Sequence, residues 1–196
     1  MSSTSVIKIV NTLNDLNIKV ITPATLSKVL KINNENTIYK IIERLEKNKL
    51  INRLIKGKYT VSNVNLSDFE KANLILSPSY ISLESALNYY GVLPQFTYSI
   101  TSVTTQKSKR FEIGGKEYEY TKISRNFYSD FIKKDNFLIA TPEKALIDLI
   151  YLASKKLRKV ELTDLDMSII DWDAFNKLRV QINYIPFQNY LERNNI

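Results

Sequence analysis

Apolar residues in the first sixty positions recur at three- and four-residue spacing, and only later alternate. In "SVIKIVNTLNDL" (5–16), Val6, Ile9, Val10, Leu13 and Leu16 fall on one helical face. "ITPATLSKVL" follows, with Thr22 suited to an N-cap, Pro23 to the first helical position, and Leu26, Val29 and Leu30 forming a short apolar face. After the tight connection "KIN", the segment "NENTIYKIIERLEKNKL" repeats the pattern through Ile38, Ile41, Ile42 and Leu45. "LINRLI" and "KYTV" then read as two strands joined around Gly57. The pattern predicts three helices and a hairpin.

That order is the one expected of a winged helix-turn-helix over residues 1–66, with a second domain over 67–196. "SNVNLSDFEKANLIL" (62–76) carries enough apolar residues to be a packed connector between them. Beyond it, "LESALNYYG" predicts a helix that Ser82 caps, with Glu84 in its first turn and Gly91 at a left-handed C-terminus. The same arrangement returns in "ATPEKALIDLIYLA", where Thr141 caps, Pro142 follows and Glu143 sits in the first turn. Both segments fit [ST]-x-E-x-A-L, which shared capping physics explains more simply than duplication. Between them "FTYSITSVTT", "KRFEI", "KEYEYTKI" and "NFLIAT" read as strands, with a hairpin turn at Gly114-Gly115. "LTDLDMSIIDWDAFNKLRV" and "PFQNYLERNN" predict further helices. The fold class is therefore α+β, a winged helix followed by a mixed α/β domain.

Charge sharpens this division. The chain of 196 residues carries a net +8, and residues 1–66 hold 11 Lys and Arg against 4 Asp and Glu, a net of +7. The other 130 residues hold 17 against 16. A basic module joined to a neutral one points to a polyanionic partner, double-stranded DNA. A lysine-rich surface that serves only solubility is the competing explanation. In the third helix, Asn36, Thr37, Lys40 and Arg44 lie opposite the apolar stripe and Tyr39 flanks them. Asn and Arg suit bidentate contacts to adenine and guanine, and Thr suits a thymine methyl. Arg53, Lys56 and Lys58 in the hairpin suit phosphate or minor-groove contacts. Asn34 reads as the cap of that helix.

Two further basic groups lie in the second domain: Lys107, Lys109 and Arg110, and Lys155, Lys156, Arg158 and Lys159. They read as a solvated strand edge and a helix C-terminus, and as additional phosphate contacts if they face DNA.

The composition also limits chemistry. Cysteine and histidine are both absent. Disulfides, thiolate nucleophiles, histidine general bases and histidine metal ligation are excluded with them. No apolar run approaches a membrane span, and the N-terminus lacks the pattern of a signal peptide, so the expected location is the cytoplasm. Glu84, Glu143 and Asp148 read as caps or helix-dipole partners. Asp164, Asp166, Asp171 and Asp173 match no calcium loop and read as solvated helix caps. "EIGGKE" lacks phosphate-loop spacing. Tyr80, Tyr89 and Tyr90 read as packing residues. The residues call for no cofactor, no metal and no catalytic group, and the chain is not expected to be an enzyme.

The predicted winged helix followed by "PSYISLESALNYYG", "TSVT" and "IATPEKALIDLIYL" resembles the AbiEi antitoxins of bacterial type IV toxin–antitoxin systems, which act in abortive infection and phage defence. The resemblance spans nearly the whole chain. It implies an N-terminal DNA-binding domain and a C-terminal antitoxin domain. It further implies repression of the protein's own operon through promoter inverted repeats. The functional partner would be a nucleotidyltransferase-type toxin, counteracted without a stable complex. No catalytic residue carries over to a numbered position. Two other classes stay open: an interaction module that docks a toxin on the tyrosine-bearing segment 80–98, and an enzyme using carboxylates or hydroxyls to modify the toxin or its product.

Overall fold

The structure, a computed structural model, describes residues 3–159 and 161–196. The chain is mixed α+β and divides into two compact units, Met1–Ser67 and Asp68–Ile196.

In the first unit the elements run α1 (Ser3–Asp15), β1 (Val20–Ile21), α2 (Pro23–Leu30), α3 (Glu35–Lys47), β2 (Ile51–Ile55) and β3 (Lys58–Val61). The caps form as their residue types require. Thr22 Oγ1 accepts from Thr25 N at 3.1 Å and Asn34 Oδ1 from Thr37 N at 3.0 Å. The helical stripes converge on one core that includes Val6, Ile9, Leu13, Leu26, Ile38, Ile41, Ile42 and Leu45, closed by Ile51, Tyr59 and Val61 from the hairpin. β1 adds a third strand to that hairpin, in the order β1-β3-β2, all antiparallel. Two residues, Val20 and Ile21, are too few for alternation to reveal them in sequence. Leu16 departs from its expected inward position and is 56% exposed, because α1 ends at Asp15 and Asn17 turns the chain at φ 53°.

The second unit is built on a six-stranded mixed sheet of β4 (Ser79–Ile81), β5 (Ile100–Thr104), β6 (Lys109–Ile113), β7 (Lys116–Lys122), β8 (Phe131–Lys134) and β9 (Phe137–Ala140). The strand order is β6-β7-β5-β4-β9-β8. β4 lies antiparallel to β5 and parallel to β9, and β5 is parallel to β7. β4 and β8 were not expected. All three residues of β4 are buried, so the strand shows no polar alternation, and it sits directly before a stronger helical signal.

The two faces of the sheet follow from strand alternation. On one, Tyr118 OH donates to Asp68 Oδ1 at 3.1 Å and Tyr120 OH to the Ala72 carbonyl at 2.6 Å, both on α4 (Asp68–Ile75). Phe137 joins them, edge-on to Phe69 at 5.2 Å. The connector expected at 62–76 is thus largely a helix of this unit. From the other face Thr101 bonds to the start of α5 (Leu83–Tyr89) and Tyr80 to α6 (Pro142–Ser154), and α7 (Trp172–Arg179) and α8 (Ile185–Arg193) pack against α6. From Glu143 to Ala153 every residue of α6 is buried. A helix covered on all sides is the centre of its domain.

Candidate nucleic-acid interface

α3 advances about 100° per residue, so Asn36, Lys40, Arg44 and Lys47 span about 80° of arc, and Thr37 borders them. All five side chains are exposed, as is Tyr39 at 53%. Ile38, Ile41, Ile42 and Leu45 hold the opposite side of the helix in the core. Asn34 is occupied in capping, which leaves Asn36 as the exposed amide of the first turn. Lys47 was missed as a candidate. It lies eleven residues beyond Asn36, three full turns along the same stripe, and that periodicity was the signal that could have found it. Glu43 borders the stripe as an exposed acid.

The hairpin places its basic residues differently. Ile55 pairs with Lys58 across a two-residue turn, so Lys56 stands at the tip, exposed. Gly57 completes the turn at φ 79°, where a side chain would be strained although no atom lies within 4 Å of a Cβ. Arg53 is exposed on β2. Lys58 is half-buried, and burial lowers the pKa of its ammonium from the ordinary lysine range. Lys56 and Arg53 therefore offer their charge to solvent more fully than Lys58.

The basic residues of the second unit separate into two kinds. Lys107, Lys109, Lys156 and Lys159 are exposed, and Lys155 is exposed with its ammonium 4.3 Å from the Tyr151 ring centre and 5.1 Å from that of Tyr184. Arg158, by contrast, is only 16% exposed at its side chain. Its Nη1 donates to Glu84 Oε1 at 3.0 Å, and its Nη2 approaches Glu119 Oε1 at 2.9 Å as an ion pair without hydrogen-bond geometry. Arg110 pairs with Glu117 at 2.9 Å and with Glu119 at 3.4 Å. One ladder of charges thus runs Glu84, Arg158, Glu119, Arg110, Glu117. Arg158 is committed to cross-linking α5 to the sheet.

Three carboxylates expected at helix ends do other work. Glu84 belongs to that ladder. Glu143 Oε1 accepts the backbone N–H of Asp171 at 3.1 Å, tying the start of α6 to the start of α7. Asp148 is fully buried and is no dipole partner. It forms an ion pair with Lys144 one turn earlier, and accepts from Tyr80 OH at 2.9 Å and Ser82 Oγ at 2.8 Å. Ser82 accordingly makes no side-chain cap bond on α5. Burial, with the neighbouring Asp148 carboxylate, pushes the Tyr80 phenol far above its ordinary range. The sequence did hold one signal for this network, a Lys and an Asp four residues apart inside an otherwise apolar helix.

The acidic residues after α6 include helix caps, as expected. Asp166 Oδ1 accepts from Ser168 N at 3.0 Å in a short 3-10 turn, and Asp171 Oδ1 accepts from Asp173 N and Ala174 N at the start of α7. Among the described residues no group of three or more acidic side chains could hold a metal ion, and no helix is long and apolar enough to cross a membrane.

No protein-family model matches the chain, and no curated protein matches it.

Proposed function

We propose that the protein is an antitoxin and a DNA-binding repressor of its own toxin–antitoxin operon. In this reading the first unit is a winged helix-turn-helix. α3 enters the major groove of each half of a promoter inverted repeat, and the β2–β3 hairpin reaches the flanking phosphates. The second unit carries the antitoxin activity and counteracts a nucleotidyltransferase-type toxin without a stable complex. The observation that supports the reading best is the polar face of α3. Asn36, Thr37, Lys40 and Arg44 are exposed together on a helix whose other side is anchored in the core. The hairpin adds an exposed lysine at its tip, and nearly all the excess positive charge of the chain lies in this unit.

An electrophoretic mobility-shift assay on the DNA upstream of the gene tests the reading. A shift that unrelated DNA does not compete away is expected, with Asn36→Ala and Lys40→Ala losing about 1–3 kcal/mol of discrimination at single base positions. Equal affinity for every duplex, unchanged in both variants, would remove the repressor role. Co-purification of the toxin as a stable complex would replace indirect antagonism with direct neutralisation.

A further inference from the structure

β6 ends the six-stranded sheet, so the backbone groups on its outer side have no strand beside them. The hairpin decides which groups those are. Ile113 pairs with Lys116 across Gly114 and Gly115, whose φ values of 59° and 74° fit a type I′ turn. The two residues that close such a turn exchange both their hydrogen bonds, and antiparallel pairs alternate from there. Lys109, Phe111 and Ile113 therefore turn their N–H and C=O groups towards β7, and Arg110 and Glu112 turn theirs outward.

Charged side chains commonly shield an open edge. Along β6 their order also makes the edge complementary to itself. A second copy laid antiparallel, about a two-fold axis through Phe111, brings Arg110 of each chain opposite Glu112 of the other. These are the residues with outward backbone groups, so each such pair would exchange two hydrogen bonds. Centring the axis on Arg110 or on Glu112 would set like charges face to face. Within one chain, Glu112 stands directly opposite Glu117 and takes part in no ion pair among the described residues. Arg110 is 65% exposed at its side chain and engages Glu117 and Glu119. A guanidinium has five N–H donors, which leaves room for a third carboxylate. Pairing would supply Glu112 with the cation that its own chain directs to Glu117 and Glu119. Phe111, half-buried with its ring centre 5.9 Å from that of Tyr120, would meet its own copy where the two strands approach most closely.

We propose that two copies of this chain pair through β6, antiparallel and centred on Phe111, into one continuous sheet. The inference rests on the second unit alone and does not require DNA binding by the first. A five-residue edge falls short of the roughly 1,200–2,000 Å² that stable complexes bury, so the dimer is weak and forms at high concentration.

Sedimentation equilibrium of the full chain, from micromolar to near-millimolar concentration, should show a reversible dimer. Glu112→Arg sets an arginine opposite Arg110 of the other copy and should weaken association tenfold or more. It should keep the fold, because it also removes the repulsion between Glu112 and Glu117. Arg110→Glu should weaken association likewise, and an equimolar mixture of the two variants should associate again, since every charge then meets its opposite. Should Arg110→Glu fail to fold, introduced cysteines report the register, because the chain has none of its own. Phe111→Cys should close an intermolecular disulfide under mild oxidation far faster than Ile113→Cys, whose two copies would lie about 13 Å apart along the strands. A monomer at every concentration, or a dimer indifferent to Glu112→Arg, would overturn the proposal. So would folded variants that fail to associate when mixed, or equal disulfide rates at the two positions.

Discussion

Asp148 carries more of the second unit than its place in the sequence suggests. Its two oxygens serve Lys144, Tyr80 and Ser82, which binds α6 to β4 and to the start of α5. Removing one member of a buried ion pair leaves the other charge uncompensated, which typically costs 3–5 kcal/mol. Asp148→Ala should therefore lower the unfolding free energy by about that amount in denaturant melts. The double change Lys144→Met with Asp148→Leu should lose less, because no charge remains buried. A second consequence concerns alkali. Burial raises the phenols of Tyr80, Tyr118 and Tyr120, and pushes that of Tyr128 up to about 12. An unfolded tyrosine ionises near pH ~10, below all of these. The unfolded chain therefore loses protons first. The contribution of these groups is complete below pH ~10 and is lost as pH rises towards the folded values. Stability measured from pH 9 to 12 should fall, and Tyr80→Phe should flatten the slope by about 1.4 kcal/mol per pH unit. A slope unchanged by that substitution would mean Tyr80 ionises as readily folded as unfolded. Only the four-residue spacing of Lys144 and Asp148 was legible in the sequence; the tyrosine's part was not, since Tyr80 and Asp148 stand 68 positions apart.

At the scale of elements, local physics and tertiary contacts divide the outcome. Helices that open on a side-chain cap were legible in sequence: α2, α3 and α6 begin where Thr22, Asn34 and Thr141 say they should, with a proline at the start of α2 and α6. α5 shows the limit of that reasoning. Its sequence repeats the pattern of α6, yet the hydroxyl of Ser82 turns to Asp148, and Leu83 opens the helix at φ 58°. A leucine in the left-handed region costs about 1–2 kcal/mol, which the buried contacts of α5 must offset. The serines of this stretch bridge elements instead: Ser85 Oγ accepts from Thr101 N at 2.8 Å, and Thr101 Oγ1 accepts from Ser85 N at 3.0 Å. The two serine or threonine starts should then respond differently to alanine. Thr141→Ala should cost about 0.5–2 kcal/mol, the loss of one cap bond. Ser82→Ala should change stability through the Asp148 network, so its effect should largely vanish in an Asp148→Leu, Lys144→Met background. A double-mutant cycle on chemical melts measures that coupling, and full additivity would contradict it.

Across the whole molecule, the distribution of charge is a property that sequence conveys directly and structure then refines. The excess of positive charge belongs to residues 1–66, but the structure distinguishes the exposed Arg53, Lys56, Lys40, Arg44 and Lys47 from the half-buried Lys58. In the second unit the formal balance is nearly even, and Arg110 and Arg158 are engaged by Glu84, Glu117 and Glu119. Each phosphate contact contributes about 0.9 to the slope of log affinity against log salt. Under the repressor reading, Lys56→Ala should reduce the magnitude of that slope by about one contact and weaken binding to all duplexes alike. Lys47→Ala should do the same if the stripe on α3 reaches the backbone at its C-terminal end. Reversing Lys155, Lys156 and Lys159 together separates two arrangements. If the second unit stands clear of DNA, affinity and slope stay as they were. If it adds phosphate contacts, the slope falls by more than either single change produces, since three exposed charges are inverted and the Arg158 ladder is left intact. Titrations at several salt concentrations, fitted as slopes and not as single affinities, decide between the two.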